Sequence, residues 1–246
     1  MHSTLFWSQL NENFKIAQRQ DKFKFGTDAV VLSFFAKIKK SDIVVDLCSG
    51  TGAVGYLCYL KYNQKKTYFV DYDSEMIELS EMTAKANNLS EKFEHINCKI
   101  DALNDKIIKN NSIDYITVNP PYFKENSGKT NLKDDIKNAR HSYDFSLDDL
   151  FKKSYCMLKD GGKIAVVHRS EYLNDVMFCM RENHIEPKRI RFVHSYIHKK
   201  AKLFLIEGIK NAKTGLIVHS PLVLYKEKNV LSEEFDEISR FYTNKG

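Results

Sequence analysis

A glycine-rich turn follows one of the apolar runs of the chain. The segment DLCSGTGAVG spans 46–55, and its Gly50, Gly52 and Gly55 fit the pattern G-x-G-x-x-G. Glycine lets a backbone turn sharply and approach a ligand closely, as in loops that bind nucleotides at a strand end. Asp71 ends the next apolar run, where a carboxylate can accept hydrogen bonds from ribose hydroxyls. The two features together predict a cofactor that contains a nucleoside.

Two further acids favour S-adenosylmethionine over a nicotinamide dinucleotide. Asp46 precedes the turn, where it would repel the pyrophosphate of a dinucleotide and attract the ammonium group of a bound amino acid. Asp101 follows the third apolar run, where an adenine amino group would lie. An aspartate that only caps a helix would look the same in the sequence, so Asp101 is the less specific of the two.

A second segment, NPPYF, begins at Asn119 directly after the apolar run SIDYITV. Proline is rare inside central strands, so its place here indicates a rigid loop at a strand end. The Asn119 side chain and the Pro120 backbone each offer a carbonyl to one N–H bond of a planar amino group. Pro121 fixes the backbone, Tyr122 offers a face for ring stacking, and Phe123 offers a further wall. Acceptors held in this way favour the pyramidal geometry in which such a nitrogen attacks a methyl donor.

A basic segment lies near the C-terminus, between Glu186 and Glu207, and it contains no acid. Its cations are Lys188, Arg189, Arg191, Lys199, Lys200 and Lys202. His194, Tyr196 and His198 alternate with them, and this mixture suits contact with phosphates and unpaired bases of RNA. The alternative is a solvated sheet edge that lysines protect against aggregation.

The elements that must position these residues alternate between strands and helices. The predicted strands span 42–47, 66–71, 93–97, 113–118, 161–168, 189–195 and 202–209, and the predicted helices span 53–62, 74–88, 146–158 and 171–183. Ser74 is the expected N-cap of the second helix, and Ser146 with Asp149 resembles a capping box before the third. Short apolar strands alternating with helices predict an α/β fold, a doubly wound and mostly parallel seven-stranded sheet with helices on both faces. Ligands of such sheets bind at the carboxyl ends of the strands.

Size and composition predict one soluble domain. The chain has 246 residues, a net charge of +6 and a 43% hydrophobic content, which leaves an anionic partner plausible. Its five cysteines are an odd number without a C-x-x-C spacing, which predicts mostly buried, reduced thiols and no metal site. The N-terminus lacks the pattern of a signal peptide and no apolar run is long enough to span a bilayer, so a cytoplasmic protein is expected.

Taken together, DLCSGTGAVG and NPPYF resemble the class I methyltransferases that methylate amino groups and share a Rossmann-like fold. Three longer segments, at 23–36, 139–151 and 186–216, resemble the bacterial tRNA1(Val) (adenine-37 N6)-methyltransferases. The resemblance extends from about Phe14 to Tyr225. The glycine turn and N-P-P-Y are shared with many other methyltransferases, so the longer segments are the more specific part of it.

The resemblance implies one S-adenosylmethionine-dependent domain over 1–246. Segment 1–40 would lie over the cofactor and substrate, and 186–225 would form basic C-terminal strands. Thr27 and Asp28 would close over the methionine end of the cofactor, which would also be held by Asp46, Gly50, Gly52, Asp71 and Asp101. Catalysis would belong to Asn119, Pro120, Pro121 and Tyr122. The RNA would contact Phe123, Arg140 and the six basic residues named above.

The implied reaction methylates the exocyclic amine of adenine 37 in the anticodon loop of a valine tRNA, by an enzyme expected to be a monomer. Other planar amines, in rRNA guanine or in a protein glutamine, also fit the acceptor motif. About 40 residues precede the first predicted strand, which is short for the N-terminal helical domain usual in glutamine methyltransferases. A non-catalytic RNA-binding module and a nicotinamide-dependent oxidoreductase are the remaining alternatives.

Overall fold

A mixed β-sheet runs through the protein, whose structure is a computed structural model that describes residues 4–19, 26–120 and 146–243. The strands are β1 Leu5–Asn11, β2 Phe14–Arg19, β3 Ile43–Leu47, β4 Lys66–Asp71, β5 Phe93–Asn97, β6 Ile113–Val118, β7 Leu158–Arg169, β8 Ile185–His194, β9 Leu203–Lys210, β10 Ile217–Val218, β11 Leu222–Val223, β12 Tyr225–Glu227 and β13 Val230–Leu231. The helices are α1 Thr27–Phe35, α2 Ala53–Tyr62, α3 Ser74–Ala86, α4 Leu147–Met157, α5 Leu173–Glu182 and α6 Glu233–Thr243. Single 3₁₀ turns lie at Ser90–Lys92 and Ser170–Tyr172.

The strand order of the main sheet is β10-β8-β9-β7-β6-β3-β4-β5, and β11 also pairs with β8. All pairs are parallel except the two made by β9, which lies antiparallel between β7 and β8. The α/β class and the mostly parallel sheet are therefore confirmed. The seven predicted strands are all present. The sheet has nine strands and not seven, because the brief strands β10 and β11 pair with β8 and extend the sheet beyond it.

Helices cover both faces of the sheet, because the side chains of each strand alternate between them. On β3, Val44 belongs to a core shared with α1, α2 and α6, whereas Val45 belongs to a core shared with α4 and α5. All the strands that carry the predicted site are buried on both sides. Their carboxyl ends are consequently held in fixed relative positions.

The N-terminal hairpin of β1 and β2 lies outside the main sheet and packs on α3. The backbone N–H of Lys15 donates to Asn87 Oδ1 (3.1 Å), and that of Ala17 donates to Thr83 Oγ1 (3.0 Å). Side chains of α3 and of its C-cap residue thus bind two N–H groups of β2. The prediction from the sequence assigned no element to this hairpin, to α1 or to α6.

The helix caps agree with the prediction at one site and differ at another. The capping box of α4 is confirmed, since Ser146 Oγ accepts from the Asp149 N–H and the Asp149 carboxylate accepts from the Ser146 N–H. The expected N-cap at Ser74 is wrong, because the preceding Asp73 accepts from the Glu75 N–H (2.9 Å). Among the five free cysteines only Cys58 is fully buried, which corrects the expectation that most of them lie in the core. Within the described ranges, every helix is too short or too polar to cross a bilayer.

Candidate active site

Three neighbouring strands end at the same level and bring the predicted site residues to one edge of the sheet. Leu47 of β3 is the register partner of both Val70 in β4 and Val118 in β6. The glycine turn, Asp71 and Asn119 each begin within one residue of these partners. Since adjacent strands lie about 4.8 Å apart, the three features fall within about 10 Å along the sheet edge.

Every second residue of the segment 48–52 in the glycine turn has a positive φ, in or near the left-handed region. Cys48, Gly50 and Gly52 have φ values of 55°, 53° and 82°. A Cβ on Gly52 would lie 2.6 Å from both Ser80 Oγ and the Tyr56 ring, so this position requires glycine. A Cβ on Gly50 would meet nothing within 4 Å, and this glycine therefore faces open space.

Asp71 holds the turn from the neighbouring strand. Its Oδ2 accepts from the Gly50 N–H (2.7 Å), and its Oδ1 accepts from the Asp73 N–H (3.0 Å). Burial raises the pKa of this carboxyl above its usual value. A carboxylate has about four acceptor positions, so Asp71 keeps capacity for ribose hydroxyls.

Asp46 lies beneath the turn and is 1% exposed. Its Oδ2 accepts from the Gly55 N–H (3.0 Å), and its Oδ1 accepts from Thr117 Oγ1 (2.7 Å). Burial raises the pKa of Asp46 to about 7. These two hydrogen bonds tie the glycine turn to β6, and the contact of Asp46 with a ligand stays a prediction.

The acceptor motif begins where β6 ends. Asn119 is half-buried and Pro120 is buried, immediately after the last residue of the strand. The remaining predicted members of the motif, Pro121, Tyr122 and Phe123, lie outside the described residues. Arg140 does so as well.

Other predicted cofactor residues occupy separate loops and elements. Thr27 and Asp28 form the first turn of α1 and are both half-buried, whereas Asp101 is exposed in a turn after β5. Their roles remain predictions. Within the described ranges, no group of three or more His, Cys, Asp or Glu side chains is placed to hold a metal ion.

Two arginines of the basic segment are engaged within the fold. Arg189 is 12% exposed and makes two 2.8 Å hydrogen bonds to the carboxylate of Glu207, and it also donates to the Phe35 carbonyl (3.0 Å). Arg191 binds Glu234 (2.6 Å) and the Ser220 carbonyl (2.9 Å). Both arginines therefore hold α1 and the C-terminal segment in place, and their contacts with RNA stay predictions.

The lysines of the same segment are available to solvent. Lys199, Lys200 and Lys202 are exposed in or beside the turn between β8 and β9. This turn lies at the carboxyl end of β8, and β8 runs in the same direction as β6 and β7, so the turn shares the sheet edge of Asn119. Lys188, lower on β8, donates to the carbonyls of Lys213 (3.0 Å) and Thr214 (3.4 Å).

Two polar residues of the site were missed in the sequence. Thr117 is a lone hydroxyl in the apolar run of β6, and it binds Asp46. Ser49 Oγ, in the glycine turn, is buried and has no hydrogen-bond partner among the described residues. Since buried polar atoms are normally satisfied, this hydroxyl beside the open face of Gly50 fits a turn that receives a polar ligand.

The fold and this edge define a class of protein: an α/β enzyme with a nucleoside-binding glycine turn and an Asn-Pro acceptor pair at adjacent strand ends. The family model described as methyltransferase small domain matches residues 19–183. That match covers more than half of the chain, and the chain belongs to this family. It is a methyltransferase, and its methyl donor is S-adenosylmethionine.

Individual relatives agree with this class. A protein of Parabacteroides distasonis named tRNA1(Val) (adenine(37)-N6)-methyltransferase is 28% identical over 236 residues, which are 94% of this chain and 95% of that protein. A release factor glutamine methyltransferase of Clostridium botulinum is 29% identical over 153 residues, 56% of this chain and 52% of that protein. The crystal structure of a predicted O-methyltransferase from Agrobacterium tumefaciens has the same fold, with a TM-score of 0.70, 15% identity and coverage of 88% and 97%.

Proposed function

We propose that this protein transfers a methyl group from S-adenosylmethionine to the exocyclic amino group of an adenine in tRNA, namely adenine 37 of a valine tRNA. The observation that carries the proposal is the match, over 94% of the chain, to a relative named for that reaction. The placement of Asn119 and Pro120 beside the glycine turn supports the same chemistry.

The amino group of adenine is a poor nucleophile because its lone pair is delocalised into the ring. The side-chain carbonyl of Asn119 and the backbone carbonyl of Pro120 would accept hydrogen bonds from its two N–H groups and hold the nitrogen in the pyramidal geometry of attack. These acceptors are fixed in advance by the end of β6 and by proline, so they need little reorganisation during the reaction. S-adenosylmethionine supplies an electrophilic methyl group on its sulfonium when it is bound.

The glycine turn would hold the cofactor. Ser49 would donate or accept a hydrogen bond that it lacks within the described protein, and Gly50 would allow close approach of the ligand. Asp71 would bind the ribose hydroxyls from the end of β4. Thr27, Asp28 and Asp101 are further candidates for cofactor binding, as the sequence predicts.

The RNA would lie along the same edge of the sheet. Lys199, Lys200 and Lys202 are exposed there, and their charges suit phosphate contacts. A tRNA anticodon loop presents unpaired bases, which can be extruded into a pocket at low cost. The choice of a loop adenine as the target follows from the names of the relatives.

The test is a labelled-methyl assay on bulk tRNA from a strain that lacks the gene, followed by mass spectrometry of the nucleosides. We expect N6-methyladenosine at a single position of one tRNA species. Replacement Asn119→Ala should lower the methylation rate by at least about 100-fold, because one prearranged acceptor is removed, without weakening cofactor binding. Asn110→Ala, an exposed asparagine just before β6, is the matched control and should leave the rate unchanged.

The partial match to a release factor glutamine methyltransferase supports a second candidate substrate. A glutamine amide is also planar and also has two N–H bonds to donate. Labelled protein in place of labelled tRNA would identify that reaction. Full activity of the Asn119→Ala variant would contradict the acceptor role for either substrate.

A further inference from the structure

Three aromatic side chains, of which two are stacked and the third is tilted by 38°, lie together at the β8–β9 turn. The rings of Tyr196 and His198 are stacked, with centroids 5.7 Å apart and an angle of 23°, and Tyr225 lies 5.8 Å from Tyr196 on another element. We call Tyr225, Tyr196 and His198 the aromatic ladder. The sequence already showed Tyr196 and His198 in this turn, whereas only the fold brings Tyr225 next to them.

Backbone hydrogen bonds hold the turn that carries the ladder. The Lys199 N–H donates to the Tyr196 carbonyl (3.0 Å), and His194 Nδ1 lies 2.7 Å from the Lys199 carbonyl oxygen. The Tyr225 N–H donates to the Ser195 carbonyl (3.0 Å), which holds the backbone of Tyr225 beside this turn. The backbone that carries the rings therefore needs little ordering when a ligand binds.

The ladder is open to solvent and surrounded by positive charge. His198 is exposed, Tyr196 and Tyr225 are half-buried, and the neighbouring Ile197 is 67% exposed. Lys199 and Lys200 follow directly. Flat rings beside cations are the combination that binds unpaired nucleobases together with their phosphates.

The distance between the ladder and the acceptor motif is set by the sheet. β6 and β8 are separated by β7 and β9, which makes a lateral distance of three strand spacings, or roughly 14 Å. The register also sets Val118 level with Ile190, four residues before the end of β8, so at about 3.3 Å per residue the ladder lies roughly 20 Å from Asn119. At about 3.4 Å for each stacked nucleotide, that span corresponds to at most about six nucleotides. An RNA strand that enters at Asn119 can reach the ladder without a second binding domain.

We propose that the aromatic ladder stacks an unpaired base of the substrate RNA within about six nucleotides of the methylated base, while Lys199 and Lys200 contact the flanking phosphates. The proposal rests on the proposed function for the identity of the RNA. The preference for single-stranded over paired RNA follows from the ladder alone, because paired bases do not expose their faces.

The experiment measures the affinity of the full-length protein for a fluorescein-labelled anticodon stem–loop of valine tRNA and for a fully paired RNA of the same length. His198→Ala and Tyr196→Ala should each weaken stem–loop binding about 5-fold or more and leave paired RNA unaffected. Tyr196→Phe keeps the ring and should bind within about twofold of the wild type. Phe178→Ala, an exposed aromatic residue on α5, is the matched control and should change nothing.

Two readouts separate stacking from a charge effect and from misfolding. The salt dependence of binding should keep its slope in the ladder variants, because no phosphate contact is removed, and cofactor affinity should stay at the wild-type value. Wild-type affinity of both alanine variants for the stem–loop would overturn the proposal, as would an equal loss for paired RNA. If instead the ladder behaves as expected while bulk tRNA acquires no N6-methyladenosine, the proposed function fails and the ladder stands.

Discussion

Gly50 and Gly161 both adopt a positive φ, at 53° and 72°, and a Cβ at either position would meet nothing within 4 Å. Alanine at each should therefore cost roughly 1–2 kcal/mol of stability through backbone strain. Only Gly50→Ala should weaken S-adenosylmethionine binding, by about tenfold or more, because only its open face belongs to the cofactor turn. Calorimetric titration of the two variants checks this. Equal cofactor affinity for both would remove Gly50 from the site.

Asp46 makes the stability of the protein depend on pH in an unusual direction for a carboxyl group. Its folded-state pKa is about 7 against a usual 3.8, so the folded state binds more protons than the unfolded chain between these values. The contribution of the Asp46 carboxyl to the free energy of unfolding is fully present below about pH 4 and is lost as the pH rises to 7. Asp46→Asn should therefore gain stability relative to the wild type as the pH rises.

Urea unfolding of both proteins at about pH 4.5, 6 and 8 measures this difference. An asparagine amide can donate to Thr117 Oγ1 and accept from the Gly55 N–H, so the variant keeps both contacts of the aspartate. The comparison with the wild type also cancels the opposite effect of His95 and His168, whose pKa values are lowered by burial to about 4. A constant difference between the two proteins at all three pH values would contradict the assignment.

At the scale of elements, the pair of Arg189 and Glu207 joins β8 to β9 and both to the end of α1. Glu207 is 2% exposed, so Arg189→Met leaves a buried carboxylate without its cation and should cost about 3–5 kcal/mol of unfolding free energy. Adding Glu207→Gln should recover a large part of that loss, because a neutral amide is cheaper to bury. Denaturant unfolding of the single and double variants measures both values.

The pair of exposed Arg181 and half-buried Glu186 supplies the control for this experiment. Arg181→Met breaks a 3.5 Å contact at the surface and should cost no more than about 1 kcal/mol. If Arg189→Met retained full stability but bound RNA more weakly, Arg189 would return to the RNA surface predicted from the sequence.

The pair of Arg189 and Glu207 shows why the helices and strands could be predicted more reliably than the contacts between them. The strands at 66–71, 93–97 and 113–118 and the helix at 53–62 have the predicted bounds, because each is a distinct apolar or periodic run. Arg189 and Glu207 are 18 positions apart, and only the antiparallel register of β8 and β9 brings them opposite each other. A charged residue in a strand therefore looked like part of a surface.

Elements outside the main sheet were missed for a related reason. β1 and β2 are stabilised by α3 and by each other, not by a continuous apolar pattern, and their burial depends on a tertiary contact. At the site, the glycine turn and the Asn-Pro motif were identifiable because the backbone itself demands those residue types. Ser49, Thr117 and Tyr225 act through neighbours that no local pattern specifies.

At the scale of the whole molecule, we expect the positive charge at one edge of the sheet to attract tRNA more strongly than the positive charge elsewhere. Replacing Lys199, Lys200 and Lys202 with alanine should weaken tRNA binding and reduce the slope of log K against log salt by about 0.7 for each phosphate that the protein no longer neutralises. Cofactor affinity should not change. Fluorescence anisotropy at several salt concentrations measures the slope.

Three lysines at the opposite edge of the sheet give the matched control. Lys39, Lys40 and Lys65 are exposed and precede β3 and β4, so their replacement makes the same change in net charge far from Asn119. Equal reductions of tRNA affinity in the two triple variants would mean that overall charge, and not this turn, attracts the RNA.

The position of β9 has a consequence for synthesis on the ribosome. β9 is made after β8 but lies between β7 and β8, so the edges of those two strands that face β9 stay unpaired until residues 203–210 have emerged. A nascent chain that stops earlier exposes the long edge of β7, and exposed edges recruit other chains. Premature termination before residue 203 should therefore yield aggregates and not a smaller working enzyme.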